Sequence, residues 1–239
     1  MRFWDLRYFN DRREFILESK LSLPRPSFLA INSKSALNLL VKNGYPQSEL
    51  RLVEALRHLY LNKIINSSSS KQKNNPNNLS TFNLLIFGDY LPENTIHQIK
   101  LFNGLSDFIF SKVKIIFKPH PACNLDIKKF NSKFNVTKEP ISSLLTDANI
   151  AFCSSTTSAA VDSYSYGLQV IIASDPANLN LSPLRDYKDV FFVQNSNELE
   201  EIIIKIFQSK TYCASPRCIF ELSDDLNLWK KLLFTSLDF

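Results

Sequence analysis

At 239 residues the chain is long enough for one large domain, or for a complete domain with part of another. Its 44% hydrophobic and 21% charged residues are those of ordinary globular proteins and exclude a disordered or fibrous class. Lysine and arginine outnumber the acids 28 to 23, and this +5 surplus is scattered rather than gathered in a block. It suits an anionic nucleotide or an acidic membrane face and argues against nucleic acid as a partner.

The amino-terminal stretch MRFWDLRYFNDRR is charged throughout and lacks the apolar core of a signal peptide. No run approaches the roughly 18 apolar residues of a spanning helix. The expected location is the cytoplasm, with peripheral association at the inner face of the plasma membrane. Cys123, Cys153, Cys213 and Cys218 show no CxxC spacing, so neither a zinc site nor a disulfide framework is expected.

In chain order, FWDLRYF (3–9) has the content of a buried strand, and Pro24 and Pro26 break the chain. Ser33–Asn43 reads as a helix closed by Gly44, and Leu50–Leu61 as a second short helix. These elements are too few to enclose a core, so residues 1–62 are expected to be part of an amino-terminal domain. NSSSSKQKNNPNNLS (66–80) has linker composition, which sets a linker at 63–80 and a domain at 81–239.

After Ser80 a regular alternation begins. Strands are expected at NLLIFGD (83–89), VKIIFK (113–118), Phe134–Lys138, NIAFC (149–153), LQVIIA (168–173) and VFFV (190–193). Helices are expected at Pro92–Phe110, Pro140–Asp147, Thr156–Tyr166, Asn197–Gln208 and Asp224–Leu237. Near-continuous apolar strands alternating with helices predict a Rossmann-like α/β fold, a parallel sheet with helices on both faces.

Ligands of such sheets bind beyond the carboxyl ends of the strands, so the loops there hold the candidate site residues. After the 113–118 strand, KPHPA places Lys118 and His120 between prolines that restrict the backbone, where either side chain can meet a phosphate; a purely structural histidine is the alternative. After 149–153, the hydroxyls of Ser154, Ser155, Thr156, Thr157 and Ser158 span a strand-to-helix turn. Helix-start N–H groups with extra hydroxyls make an anion site, whereas simple helix capping needs only one of the five. Asp162 lies about one turn further, toward the ribose of a nucleotide bound there, unless it merely occupies a solvated helix face. Gly167 ends that helix. The loop 174–186 concentrates Asp175, Asn178, Asn180, Ser182 and Arg185, either for sugar or pyrophosphate recognition or as an ordinary connection. Gly88-Asp89-Tyr90 follows the first strand, with Asp89 a candidate sugar ligand. The absence of GxGxxG, GxxxxGK[ST] and GxSxG argues against dinucleotide oxidoreductases, P-loop enzymes and α/β-hydrolases.

KPHPAC, TSAAVDSYSYGLQVI, LIFGDYLPE and DPANLNLSPLR, with WDLRYF and VEALRHLYL before them, resemble in order and spacing a family of bacterial surface carbohydrate (O-antigen) biosynthesis proteins of GT-B type. The resemblance covers about Phe3 to Val193. Bacterial GT-B sialyltransferases are similar in the HP and Ser/Thr elements, which in those enzymes contact the phosphate of a CMP-sugar. The resemblance implies a nucleotide-sugar donor, CMP-sugar favoured, with His120 as catalytic residue near its phosphate and Ser154 to Thr157 on phosphate oxygens. It places Asp162 at the ribose, where many relatives carry glutamate. A glycan or lipid-linked glycan acceptor is further implied, along with a separate amino-terminal-domain partner supplying the catalytic base. The implied activity is glycosyl transfer without a cofactor or metal, in keeping with the lack of a DxD motif. A non-catalytic nucleotide-sugar-binding subunit and a nucleotide-sugar epimerase of the same fold are the alternatives.

Overall fold

The computed structural model describes residues 26–69, 82–177, 179–209 and 215–235. The FWDLRYF segment, Cys213 and Asn178 lie outside them. The chain divides into two compact units, residues 64–217 and residues 1–63 with 218–239.

The larger unit is built on a six-stranded sheet of β3 (Phe82–Phe87), β4 (Val113–Lys118), β5 (Asn135–Val136), β6 (Ile150–Ser154), β7 (Gln169–Ala173) and β8 (Phe191–Val193). Every pairing is parallel and the order is β5-β4-β3-β6-β7-β8. Its helices are α3 (Pro92–Asn103), α4 (Asp107–Lys112), α5 (Ile127–Phe130), α6 (Ile141–Asp147), α7 (Ala159–Tyr166) and α8 (Ser196–Ser209). The α8 helix packs on α3 and α4, and α6 packs on α7. This is the Rossmann-like arrangement expected from the apolar runs.

Register explains why the strands are apolar on both faces. Ile86 lies beside Phe117 and Phe152, and Phe152 beside Ile171, so one face presents a continuous apolar row to Ile99, Phe102, Leu199 and Ile203. Alternate residues Leu85, Phe87, Ala151, Cys153, Val170 and Ile172 face the other way and are equally buried. All eight residues of α7 are buried as well.

Expected helix boundaries shift where local chemistry intervenes. The helix foreseen over Pro92–Phe110 is two helices, because Ser106 sends its N–H (2.9 Å) and its hydroxyl (2.5 Å) to the Glu200 carboxylate instead of continuing the helical ladder. The helix foreseen from Thr156 starts at Ala159, since residues 155–158 form a turn. Gly167 ends it in the left-handed region at φ 105°, and the N–H of Leu168 returns to the Ser163 carbonyl at 3.0 Å.

In the smaller unit β1 (Leu29–Ile31) pairs in parallel with β2 (Leu50–Leu52), so Leu50 begins a strand and not the expected helix. After the 3₁₀ turn Leu56–His58, α2 (Leu59–Ser69) runs into the stretch assigned to a linker, anchored by the buried Leu61. The helix α1 (Lys34–Lys42) is capped by the Ser33 hydroxyl, which accepts from Ala36 N–H at 3.2 Å, as its sequence predicts. Ala36 and Leu40 of α1 pack with Ile31, Tyr45 and Leu50.

Residues 218–239 were expected in the Rossmann-like domain, yet they belong to this smaller unit. Phe220 stacks on His58 with ring centroids 4.1 Å apart and bridges Ser33. The helix α9 (Asn227–Thr235) has its start held by Glu54. All these contacts join segments far apart in sequence, which periodicity cannot reveal.

Candidate functional site

The strand order places β3 at a switch point. From β3 the chain builds outward through β4 to β5, then returns to the other side of β3 with β6 and continues to β8. Loops after β3 and β6 leave in opposite directions there and open a crevice at their carboxyl ends, the usual ligand position in such sheets. Three expected loops meet at this place: Gly88–Tyr90 after β3, Lys118–His120 after β4, and 154–158 after β6. Strand spacing puts the β4 and β6 tips roughly 10 Å apart across β3.

The tip of β3 is held by α3. Thr95 accepts from Asp89 N–H at 2.9 Å and donates to the Asp89 carbonyl at 3.1 Å, while Gln98 donates to the Phe87 carbonyl at 3.1 Å. Both side chains are buried. Neither was foreseen as part of the site, although two polar residues one turn apart beside Ile99 and Phe102 were a readable signal. Gly88 donates to the Lys118 carbonyl at 3.0 Å. A Cβ on Gly88 would lie 3.3 Å from the Phe117 ring and 3.4 Å from Pro119 Cα, so glycine sets how closely the two loops approach.

Asp89 is 1% exposed. One carboxylate oxygen accepts from Leu91 N–H at 2.9 Å, and the other accepts the hydroxyls of both Ser154 and Thr156. This corrects two expectations: Asp89 is not available to a sugar hydroxyl, and Ser154 and Thr156 do not point their hydrogens at a phosphate. A buried carboxylate captures nearby hydroxyl donors because leaving it unpaired is costly.

Other donors of the turn remain open. Among the described residues, the N–H groups of Ser155 and Thr156 and the Ser155 hydroxyl have no partner. The Thr157 oxygen accepts from Ala159 N–H at 3.4 Å, which leaves its hydrogen to donate. All three residues are half-buried. Adjacent open amides with hydroxyls beside them in a strand-to-helix turn can form a concavity suited to anions.

His120 accepts from Ala122 N–H at Nδ1, 3.1 Å away, which places the ring hydrogen on Nε2. The ring lies edge-on to Tyr90, with centroids 6.2 Å apart. It therefore offers one N–H donor on the β4 side of the crevice.

Lys118 turns toward the β5 side, where its Nζ donates to the Glu139 carbonyl at 2.5 Å. Burial holds its ammonium below the ordinary value, against the opposing pull of the Glu139 carboxylate. Asp162 is buried and its charge acts on the buried Cys153 thiol, which desolvation first and Asp162 second push well above the usual range. It lies one turn into α7 and is 4% exposed, where a contact with ribose was expected. Cys153 is thereby inert as a nucleophile.

The loop after β7 lies one strand further from the switch point. Asp175 accepts from Ala177 N–H at 2.9 Å and Asn180 from Ser182 N–H at 3.1 Å, both bends of the loop on itself. Both residues are exposed. Arg185 Nε lies 4.0 Å from Asp186 Oδ2.

A second arginine escaped sequence reading. Arg217 bonds the carbonyls of Tyr164 and Leu168 at 3.2 and 3.0 Å and pairs with Asp189 at 3.0 Å, while Tyr164 donates to the same carboxylate at 2.7 Å. Burial, then Asp189, pushes the Tyr164 phenol up. The group fastens the end of α7 to the loop before β8. It supports the turn at the other end of that helix.

Comparison with known proteins returns no matching family model and no matching curated protein. Solved structures do match. The UDP-GlcNAc 2-epimerase of Methanocaldococcus jannaschii, in complex with UDP-GlcNAc and UDP, is 15% identical with a TM-score of 0.61 over 96% of this chain and 67% of that one. The Neisseria meningitidis UDP-GlcNAc 2-epimerase bound to UDP-GlcNAc is 12% identical with a TM-score of 0.55, over 99% of this chain and 66% of that one. Anabaena HepE in complex with UDP and glucose is 12% identical with a TM-score of 0.51, over 95% of this chain and 67% of that one. The chain thus spans about two thirds of the length of these proteins. At such identities the fold is what is shared, a Rossmann-like parallel sheet of GT-B type.

Proposed function

We propose that the larger unit binds a nucleotide-sugar by its diphosphate at the β3–β6 crevice. The observation that carries this reading is the open donor set of the 155–157 turn at the switch point. In this reading the Ser155 and Thr156 N–H groups and the Ser155 and Thr157 hydroxyls hold phosphate oxygens, and His120 Nε2–H donates from the opposite side. Such donors stabilise a leaving phosphate as its charge develops, which favours breaking the bond between phosphate and sugar.

The ligands named for the similar structures favour a UDP-sugar over the CMP-sugar implied by the sequence resemblance. Glycosyl transfer to a glycan or lipid-linked acceptor is the first reading of the chemistry, with the acceptor and catalytic base contributed outside this unit. Epimerisation of the UDP-sugar is the second, supported by the two similar 2-epimerases.

Calorimetric titration with UDP, CMP, GDP and their sugars tests the binding step. Selective binding of UDP compounds, weakened about tenfold by His120→Ala, is the expected result; a folded protein that binds no nucleotide sinks the reading. Proton NMR of bound UDP-GlcNAc over hours then separates the chemistries. A changed sugar configuration marks epimerisation, and free UDP appearing only with an acceptor marks transfer.

A further inference from the structure

Asp89 has no part in the binding scheme above, yet it is the most heavily engaged polar side chain at the crevice. It is 1% exposed and lies at the tip of β3, while its hydroxyl partners Ser154 and Thr156 lie at the tip and turn of β6. It therefore links the tip of β3 to the turn after β6. Its backbone is fixed in turn by Thr95, and its second oxygen by Leu91 N–H.

Three donors on one buried carboxylate have a consequence for the turn. Ser154 and Thr156 are both held on the carboxylate, while the Ser155 hydroxyl, the Thr157 hydrogen and the Ser155 and Thr156 amides have no acceptor among the described residues. Without the carboxylate, the Ser154 and Thr156 hydroxyls would seek other acceptors, of which the nearest are carbonyls of the same turn; that would rotate its peptide planes. The carboxylate also keeps these hydroxyls from serving the ligand, which confines recognition to the open donors.

We propose that Asp89 is the positioning residue of the anion cradle: by taking the hydroxyl hydrogens of Ser154 and Thr156 it sets the 154–157 turn with the Ser155 and Thr156 amides presented to phosphate. This rests on the reading of the crevice as a diphosphate site. It assigns Asp89 no contact with ligand and no part in proton transfer. It also predicts that the two serine–threonine pairs of one turn differ in kind: changes at Ser154 and Thr156 act through the amides, and changes at Ser155 and Thr157 act directly.

The test uses the whole chain, with pyrophosphate and UDP as separate probes. Amide resonances of Ser155 and Thr156 are followed by NMR during each titration, in the wild type, in Asp89→Asn, in Ser154→Ala/Thr156→Val and in the triple combination. Wild-type amides are expected to shift with pyrophosphate. Asp89→Asn is expected to weaken pyrophosphate and UDP about tenfold, the double variant by a similar factor, and the triple variant no further. A carboxylate that only stabilised the fold would lower the thermal midpoint of the variants and leave the affinity of the folded protein unchanged, and that outcome overturns the proposal. So does a wild type whose two amides ignore pyrophosphate, or losses that multiply in the triple variant. A wild type that responds to pyrophosphate at these amides but not to UDP sinks the nucleotide reading, and the pyrophosphate arm still decides the role of Asp89. Should Asp89→Asn fail to fold, Ser154→Ala and Thr156→Val singly retain the carboxylate and carry the same comparison, each with about a threefold loss that does not multiply in the pair.

Discussion

Two carboxylates occupy corresponding places in the two units, each two residues beyond a parallel strand and each almost wholly buried. Glu54 follows β2 and Asp89 follows β3. The Glu54 carboxylate accepts from the start of a helix, Leu228 N–H at 2.7 Å and Trp229 N–H at 3.0 Å, and its carbonyl takes the Trp229 indole N–H at 2.9 Å. Asp89 takes one backbone N–H and two side-chain hydroxyls belonging to a turn with open donors. Burial is the same, but the partners differ. A carboxylate spent on backbone amides closes a helix end, whereas one spent on hydroxyls fixes the direction of groups that have another use.

That contrast is most exposed to Asp89→Leu. Orphaning three buried donors is expected to cost about 3 kcal/mol in urea unfolding followed by circular dichroism; a loss no larger than that of the Glu54 variant would erase the distinction. Glu54→Gln is expected to cost about 1 to 2 kcal/mol at neutral pH through the weakened cap. Burial alone would raise the Glu54 pKa, but the Leu228 and Trp229 amides and Lys230 outweigh it and hold it below the ordinary 4.5. A depressed folded-state pKa gives stability that is present above 4.5 and lost as pH falls through the folded value. The gap in thermal midpoint between wild type and Glu54→Gln should therefore narrow in acid, and a constant gap would deny the carboxylate its role.

Gly167→Ala, which forces a side chain into the left-handed region at φ 105°, is expected to cost about 1 kcal/mol without changing affinity per folded molecule. Ser155→Ala should weaken UDP about threefold at unchanged stability, since only an open donor is lost. The smallest effect is expected for Lys118→Met, less than twofold in UDP affinity, because the ammonium is engaged at Glu139. A tenfold loss there would place Lys118 in the crevice when ligand is bound.

The strands were legible because a sheet covered on both faces needs apolar residues at nearly every position, as in Leu84–Phe87 and Ile150–Cys153. The loop positions of the site followed from those strand ends. The assignments within the loops did not, because a hydroxyl's direction is decided by a partner outside its own segment. Asp89 captures Ser154 from 65 residues away. Asp162 sits one turn into a helix that looks like an ordinary covering helix until its burial on all sides is seen. The break after Asn103 likewise depends on Glu200, 94 residues from Ser106. Periodicity reports how a segment meets water or core, and these features depend on which segments meet one another.

The complete burial of α7 bears on the time behaviour of the cradle. A helix with no solvated side exchanges its amide hydrogens chiefly through larger openings of the surrounding structure, so its protection should approach that of the central strands. The donors of 155–157 are tethered between that helix and β6, and move against a slow background. On the proposed function, the anchoring turn is then the fixed point of each binding event.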